Sequence, residues 1–299
     1  LYFPNKNADK EMKVQITGAS GFVGQYLCKH LSAELIPIKI NSSDDFVVDA
    51  TILIHLAGIA HSKKGAIASK EYQRVNTDLT KKAFDAFLSS SAQKLIVLSS
   101  VKAVAVDYDG VIDEETPEHP NSDYGKSKLA ADNYMMSKEL PEGKSVYILR
   151  PALISGPEVK SNLRSLYNLA KTPLSWIFAG VHNKRSYCNV SNLSFVIQQL
   201  IDRDDIAPGI YLVADDEPLS TSAVIGILSG KTCSNRVLLT FASVMIKSCL
   251  SVGKYTGADF IVDPLRKLCD DYLINNDKIT QAIGQRLPYS SAEGIRSIK

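Results

Sequence analysis

Tyr124 and Lys128 lie four residues apart in Tyr124-Gly125-Lys126-Ser127-Lys128, a spacing that puts both on one face of a helix. A phenol near its ordinary pKa of about 10 is a poor base at neutral pH. An ammonium beside it favours the phenolate, which suits proton exchange with a sugar or alcohol hydroxyl. Taken alone, such a pair is most often surface packing. A second source of hydroxyls precedes it: Leu95-Ile96-Val97-Leu98-Ser99-Ser100 reads as a buried strand that delivers Ser99 and Ser100 at its C-terminal end. Ligands bind at that end of the strands in an open parallel sheet.

A third feature supplies what the first two lack, a means of holding a phosphate. Thr17-Gly18-Ala19-Ser20-Gly21-Phe22-Val23-Gly24 follows a short apolar strand and opens an apolar-periodic helix. Gly18 permits the strand-to-helix turn, Gly21 lets backbone approach a pyrophosphate, and Gly24 allows the helix to pack closely on the sheet. The helix N-terminus then turns its N–H groups and its dipole toward the phosphates. In such a unit a carboxylate ending the second strand discriminates against a 2′-phosphate on the adenosine ribose. Here the strand ends Lys39-Ile40-Asn41-Ser42-Ser43, so Asn41 stands at that place, and Asp44 and Asp45 come a little later. The choice between NAD and NADP stays open on these residues.

The elements that must position these groups alternate in βαβ fashion. Strands are expected at Lys13–Thr17, Ile36–Ile40, Thr51–Leu56, Lys94–Ser99, Ser145–Leu149 and Gly209–Val213. Helices are expected at Gly21–Ala33, Glu71–Ser89, Tyr124–Leu140 and Val190–Asp202, with Pro141 and Gly143 ending the third. Only about ten residues separate Ile40 from Thr51, too few for a full βα unit, so one crossover must be shortened or deleted. The fold class is α/β: a Rossmann-like doubly wound parallel sheet with a smaller, mostly helical substrate domain. The division expected is 12–156 for the dinucleotide-binding domain and 157–299 for the substrate domain, with about 186–214 returning to the first.

Bulk properties narrow the function classes. The 299 residues carry 34 basic and 32 acidic side chains, net charge +2, without a long run of one sign, so neither nucleic acid nor a membrane surface is an expected partner. Cys28, Cys188, Cys233, Cys249 and Cys269 are scattered and form no CxxC pair, which argues for reduced thiols, no metal site and a cytoplasmic protein. Leu1 to Glu11 lack the apolar core of a signal peptide. Val237–Val252 is interrupted by Thr240, Lys247 and Ser248, falls short of the roughly 20 apolar residues of a membrane span, and reads as an amphipathic helix.

Together these motifs resemble the extended short-chain dehydrogenases, and within them the NAD-dependent epimerase/dehydratase family. Further matches are His55-Leu56-Ala57-Gly58, Val75-Asn76-Thr77, and Arg150-Pro151 followed by Gly156-Pro157. The resemblance spans nearly all of Met12 to Lys299. It implies that Gly18, Ser20, Gly21, Phe22, Val23 and Gly24 hold the dinucleotide, that Leu56, Ala57 and Gly58 line its path, and that Asn41, Asn76, Ser99 and Pro151 border it. Asn76 would brace the active site, Ser100 would hydrogen-bond the reacting hydroxyl, Tyr124 would exchange its proton, and Lys128 would bind the nicotinamide ribose and tune Tyr124. On the substrate side it implies Lys102, Asn162 and Arg185, the last two toward a nucleotide diphosphate; His61 is a weaker candidate near the cofactor or diphosphate.

Departures from the family pattern sharpen the expectation. Ser155 precedes Gly156-Pro157 where relatives usually carry Tyr, and the shortened 41–51 segment leaves Asp49 a weak candidate for adenine contact. Val101-Lys102-Ala103 follows Ser100 where 4,6-dehydratases place an Asp-Glu pair, so a dehydratase is not expected. The tail, with Ile274 to Gly284, Pro288 and Glu293-Gly294, is similar to bacterial UDP-sugar 4-epimerases and 4-keto-sugar reductases. The expected function is therefore an NAD(P)-dependent epimerase acting at C4 of a nucleotide-diphosphate hexose, UDP-linked, with NAD slightly ahead of NADP and a homodimer compatible. A 4-keto-sugar reductase on a UDP- or dTDP-sugar is the alternative, and a non-catalytic dinucleotide sensor the remote one.

Overall fold

The structure, a computed structural model, describes residues 13–60, 66–159, 162–178, 180–230, 244, 265–266 and 268–298. The calls on Leu1 to Glu11 and on His61 fall outside these residues, as does nearly all of Val237–Val252.

Six parallel strands form the main sheet, in the order β2-β1-β3-β4-β6-β9. They are β1 (Val14–Thr17), β2 (Leu35–Ile38), β3 (Ile52–His55), β4 (Lys94–Leu98), β6 (Ser145–Pro151) and β9 (Gly209–Val213). Both faces are covered, which is why the strands read as unbroken apolar runs. On one face Ile16, Ile54, Ile96 and Leu149 pack with Val23 and Leu27 of α1 (Phe22–His30) and with Leu193, Val196 and Ile197 of α6 (Val190–Asp202). On the other, Leu53, Leu95, Val97 and Ile148 pack with Phe84 and Phe87 of α3 (Leu79–Leu88) and Met135 of α4 (Asp123–Met136). The fold is thus the doubly wound α/β arrangement expected.

The shortened crossover is visible at β2. Strands β2 and β3 flank β1 on opposite sides, and the 39–51 connection between them contains no helix. The Asn41 side chain closes a turn there by accepting from the Asp44 N–H at 2.8 Å and the Ser43 N–H at 3.2 Å. Lys82 of α3 fastens the same turn by donating to the carbonyls of Asn41 and Asp44.

Three helices depart from their expected bounds. Helix α1 runs from Phe22 to His30 rather than from Gly21 to Ala33. The expected Glu71–Ser89 helix begins earlier as α2 (Ala66–Tyr72), widens into a π-type turn over Gln73–Asp78, and continues as α3. The wide turn directs the adjacent Asn76 and Thr77 both into the protein, where Thr77 donates to the Ser127 carbonyl at 2.8 Å. Helix α4 starts where Ser122 caps the Gly125 N–H at 3.1 Å and stops at Met136, short of the expected Leu140. Pro141 disfavours helical backbone at the residue before it.

A second apolar cluster unites α5 (Asn162–Ala170), α7 (Thr221–Ser229) and a tail helix at Ser291–Arg296 through Leu163, Leu166, Val224, Ile225 and Ile295. Of two short parallel pairs, β7 (Leu153–Ser155) with β8 (Tyr187–Asn189) packs on this cluster through Leu153 and Tyr187, and β5 (Val111–Ile112) with β10 (Leu273–Ile274) packs on the first cluster through Ile112 and Ile274. Ile274, Ile279, Ile283 and Leu287 join the cluster under the main sheet, although they come from the tail. Among the described residues, no helix is long and apolar enough to cross a membrane.

Candidate active site

Strands β1 and β3 are neighbours whose continuations run to opposite sides, so a crevice opens at their C-terminal ends, where ligands bind in such sheets. Gly18 occupies it with φ +73°, and a Cβ there would stand 2.7 Å from the Ala57 nitrogen and the Leu56 carbonyl carbon. Gly24 is as confined: a Cβ would strike the Gly18 carbonyl and come within 2.7 Å of Ala19 Cα. The loop can therefore lie on Leu56-Ala57 only because Gly18 lacks a side chain, and α1 can pack against the loop only because Gly24 does. Gly21 caps α1 without a side-chain acceptor, which leaves the first-turn N–H groups to a ligand, and Ser20, Phe22 and Val23 complete the turn. Asn41 stands beyond the end of β2, on the exposed turn described above.

A buried polar chain stiffens the floor. The Ala57 N–H donates to Thr17 Oγ1 at 3.3 Å, Thr17 Oγ1 meets His55 Nδ1 at 2.8 Å, and His55 Nε2 meets Thr80 Oγ1 at 3.1 Å. Because Thr80 spends its proton on the Asn76 carbonyl at 2.7 Å, His55 must carry its own proton on Nε2 and accept from Thr17 on Nδ1. Burial, with Lys128 adding to it, holds the His55 pKa near 3, so this histidine is a neutral structural link. Asn76 extends the chain: its Oδ1 accepts from the Ile59 N–H at 2.8 Å, and its Nδ2 donates to Ser127 Oγ at 3.1 Å.

Helix α4 then engages the end of β4 with three residues at four-residue intervals. Tyr124 comes close enough to Ser100 for the serine hydroxyl to favour the phenolate, Lys128 Nζ donates to the Leu98 carbonyl at 2.9 Å, and Asp132 Oδ2 accepts from Ser99 Oγ at 2.8 Å. Ser100 Oγ already accepts from the Lys102 N–H at 3.2 Å, so its own proton is available to the phenol oxygen. The Lys102 ammonium lies 5.8 Å from the centre of the Tyr124 ring, and the Tyr72 ring meets the same ring edge-on at 5.9 Å. Pro151, buried at the end of β6, closes the adjacent strand.

The electrostatics correct one expectation. The sequence suggested that the Lys128 ammonium lowers the Tyr124 pKa, yet the phenol is pushed up to about 12. Burial is the dominant cause; the Ser100 hydroxyl works against it, and the Asp132 charge adds to it. Lys128 is itself pushed down to about 8 by burial, with Asp132 opposing.

Of the substrate-side residues, Lys102 reaches Tyr124 and Asn162 opens α5. Arg185 lines a separate cavity of about 390 Å³ with Asp107, Tyr108, Asp109, Asp270, Asp271 and Tyr272. Its Nη1 donates to the Asp270 carbonyl at 3.0 Å, and its guanidinium lies over the Tyr272 ring at 5.5 Å. Four carboxylates around it work against an anion, so a diphosphate role there rests on the guanidinium alone.

Sequence reasoning passed over Asp132, which the i+4 and i+8 spacing from Lys128 and Tyr124 would have found. It also passed over Arg74, whose Nη1 donates to Ser42 Oγ at 3.5 Å. No local signal marks that contact, because 32 residues separate the partners.

The profile of the NAD dependent epimerase/dehydratase family matches residues 39–214, more than half of the chain. The chain belongs to that family. It is accordingly an enzyme of the NAD(P)-dependent nucleotide-sugar epimerase/oxidoreductase kind. The UDP-glucose 4-epimerase of Vibrio cholerae is 29% identical to it, over 96% of this chain and 95% of that one. Among solved structures, UDP-glucuronic acid 4-epimerase from Bacillus cereus in complex with NAD superposes with a TM-score of 0.70 at 18% identity, covering 96% of this chain and 97% of that one. RMD from Pseudomonas aeruginosa complexed with NADPH gives 0.67 at 17%, with the same coverage. At these identities the structural likeness shows the fold. The crevice fits the family's dinucleotide on its own geometry, since a glycine-only cradle and an uncapped helix start meet at the sheet's switch point.

Proposed function

We propose that the protein is a 4-epimerase of nucleotide-diphosphate hexoses, UDP-linked, with Ser100, Tyr124 and Lys128 as its proton-transfer group. The observation that carries this is the engagement of Tyr124 with Ser100 one helical turn from Lys128, beside the glycine cradle. The bound dinucleotide supplies hydride acceptance and return at C4. Ser100 holds the C4 hydroxyl and Tyr124 Oη takes its proton, returning it when the other face of the carbonyl is reduced. Lys128, between the Leu98 carbonyl and the crevice, binds the nicotinamide ribose and stabilises the phenolate, the form in which Tyr124 accepts the proton and to which it returns when it gives the proton back.

Around this centre, Gly18, Ser20, Gly21, Phe22, Val23, Gly24, Leu56, Ala57 and Gly58 hold the dinucleotide, bordered by Asn41, Asn76, Ser99 and Pro151. Lys102, Asn162 and Arg185 serve the substrate. The working division is 12–156 for the cofactor and 157–299 for the nucleotide sugar, and the compartment is the cytoplasm.

One observation favours the reductase as second reading. No carboxylate ends β2, and Arg74 reaches Ser42 at that place, an arrangement that admits the 2′-phosphate of NADPH. Mass spectrometry of the dinucleotide that co-purifies separates the two. Tightly held NAD is the expected result, and an exchangeable NADP(H) would turn the assignment to the reductase.

A further inference from the structure

Behind the proton-transfer pair lies a charged group that the reaction itself does not use. Asp132 is 1% exposed and Arg150 2%, and Arg150 Nε donates to Asp132 Oδ2 at 2.9 Å. The guanidinium does not take the carboxylate with both forks: its Nη2 pairs with Glu118 Oε1 at 2.6 Å instead. Both donors to Asp132, Ser99 Oγ and Arg150 Nε, therefore fall on Oδ2, and the buried Oδ1 accepts none. A carboxylate whose task was only to neutralise Arg150 would be expected to meet it bidentately. This one is shared between the guanidinium on β6, the hydroxyl at the end of β4 and, through space, Lys128 one turn back on its own helix.

We propose that Asp132 is a positioning residue for the proton-transfer pair, locking α4 in register against the end of β4 and keeping the buried Lys128 ammonium charged. The proposal rests on the reading of Lys128 as the partner of Tyr124. The register follows from geometry: Tyr124, Lys128 and Asp132 take Ser100, Leu98 and Ser99, so a slip of α4 would release all three contacts together. The titratable and charged groups facing the site are Tyr124 and Lys128 on α4, neutral His55 on β3, Tyr72 on α2, Lys102 after β4 and Arg150 on β6, with Glu118 behind Arg150. Of these, Asp132 is the anion that acts on Lys128 and favours its protonated form. A buried ion pair contributes little to net stability, so a role in specifying geometry and charge is the better account of its presence.

The test is an NMR titration of protein labelled with ¹³C at lysine Cε, the Lys128 signal being assigned with Lys128→Arg. Asp132→Asn keeps the size of the side chain and an acceptor for Ser99 but removes the charge. Its Lys128 midpoint should fall by about one to three pH units, the range for loss of a nearby opposite charge. The alkaline limb of the kcat–pH profile with UDP-glucose should fall with it, and Asp132→Glu should restore both. An unchanged midpoint in folded Asp132→Asn overturns the proposal. If unpaired Arg150 prevents that variant from folding, Asp132→Asn with Arg150→Gln is neutral at both positions. Arg150 is not among the groups acting on Lys128, so the midpoint should still fall, and an unchanged one is again decisive against the proposal. The titration needs no substrate, so it can fail while the epimerase reading stands, or hold while that reading fails.

Discussion

Replacing Lys128 by Met should change stability in a pH-dependent way that reports the burial of the ammonium. Burial lowers the Lys128 pKa from 10.5 to about 8. Between those values the folded protein has shed a proton that the unfolded chain retains, so this group makes stability rise with pH across the window. Its burial costs about 3 kcal/mol at pH 7 and about 1 kcal/mol at pH 9.5, a relief of about 2 kcal/mol. Met removes that cost but leaves the Leu98 carbonyl without its donor, a loss of about 1–3 kcal/mol that does not vary with pH. The variant should thus unfold at equal or higher urea concentration than the parent at pH 7. Its advantage should shrink by about 2 kcal/mol by pH 9.5. Urea titrations followed by far-UV circular dichroism at pH 7, 8.5 and 9.5 measure the difference, in which all other titrating groups cancel. Parallel curves, or an advantage that widens with pH, would refute the reasoning: Lys128 would then be titrating near its ordinary value.

Three further outcomes test the periphery of the site. Arg185→Ala should raise KM for the nucleotide sugar more than it lowers kcat, because charge-assisted hydrogen bonds worth about 1.5–3 kcal/mol are lost away from the reacting carbon; a collapse of kcat alone would place Arg185 in the proton-transfer group. NAD and NADP should bind the stripped protein within roughly 1–2 kcal/mol of each other. Arg74→Ala should weaken NADP alone, and a thousandfold preference either way in a calorimetric titration would show a determinant beyond Arg74 and Ser42.

Much of this arrangement was legible because it is local. Apolar runs buried on both faces announce parallel strands, the glycine loop lies within eight residues, and Tyr124 and Lys128 share one helical turn. The deleted crossover could be read from the count of residues between Ile40 and Thr51. What stayed hidden depends on contacts distant in sequence. Arg74 meets Ser42 only after α2 and α3 fold across β2, and the π-type turn that buries Asn76 and Thr77 together leaves no mark in hydrophobic periodicity. Nor could the raised Tyr124 pKa be foreseen, since spacing shows which charges are neighbours and says nothing of how deeply the phenol is buried.

The central claim is tested most directly by following UDP-glucose by ¹H NMR with the NAD-loaded protein and with its Tyr124→Phe variant. The account predicts that the anomeric signal of the C4 epimer grows in with the parent. It also predicts that Tyr124→Phe, which keeps the fold and the dinucleotide but lacks the hydroxyl that carries the proton, slows this by orders of magnitude. Epimerisation at near-parental rate in the variant, or none by a parent shown to hold NAD and UDP-glucose, would contradict it.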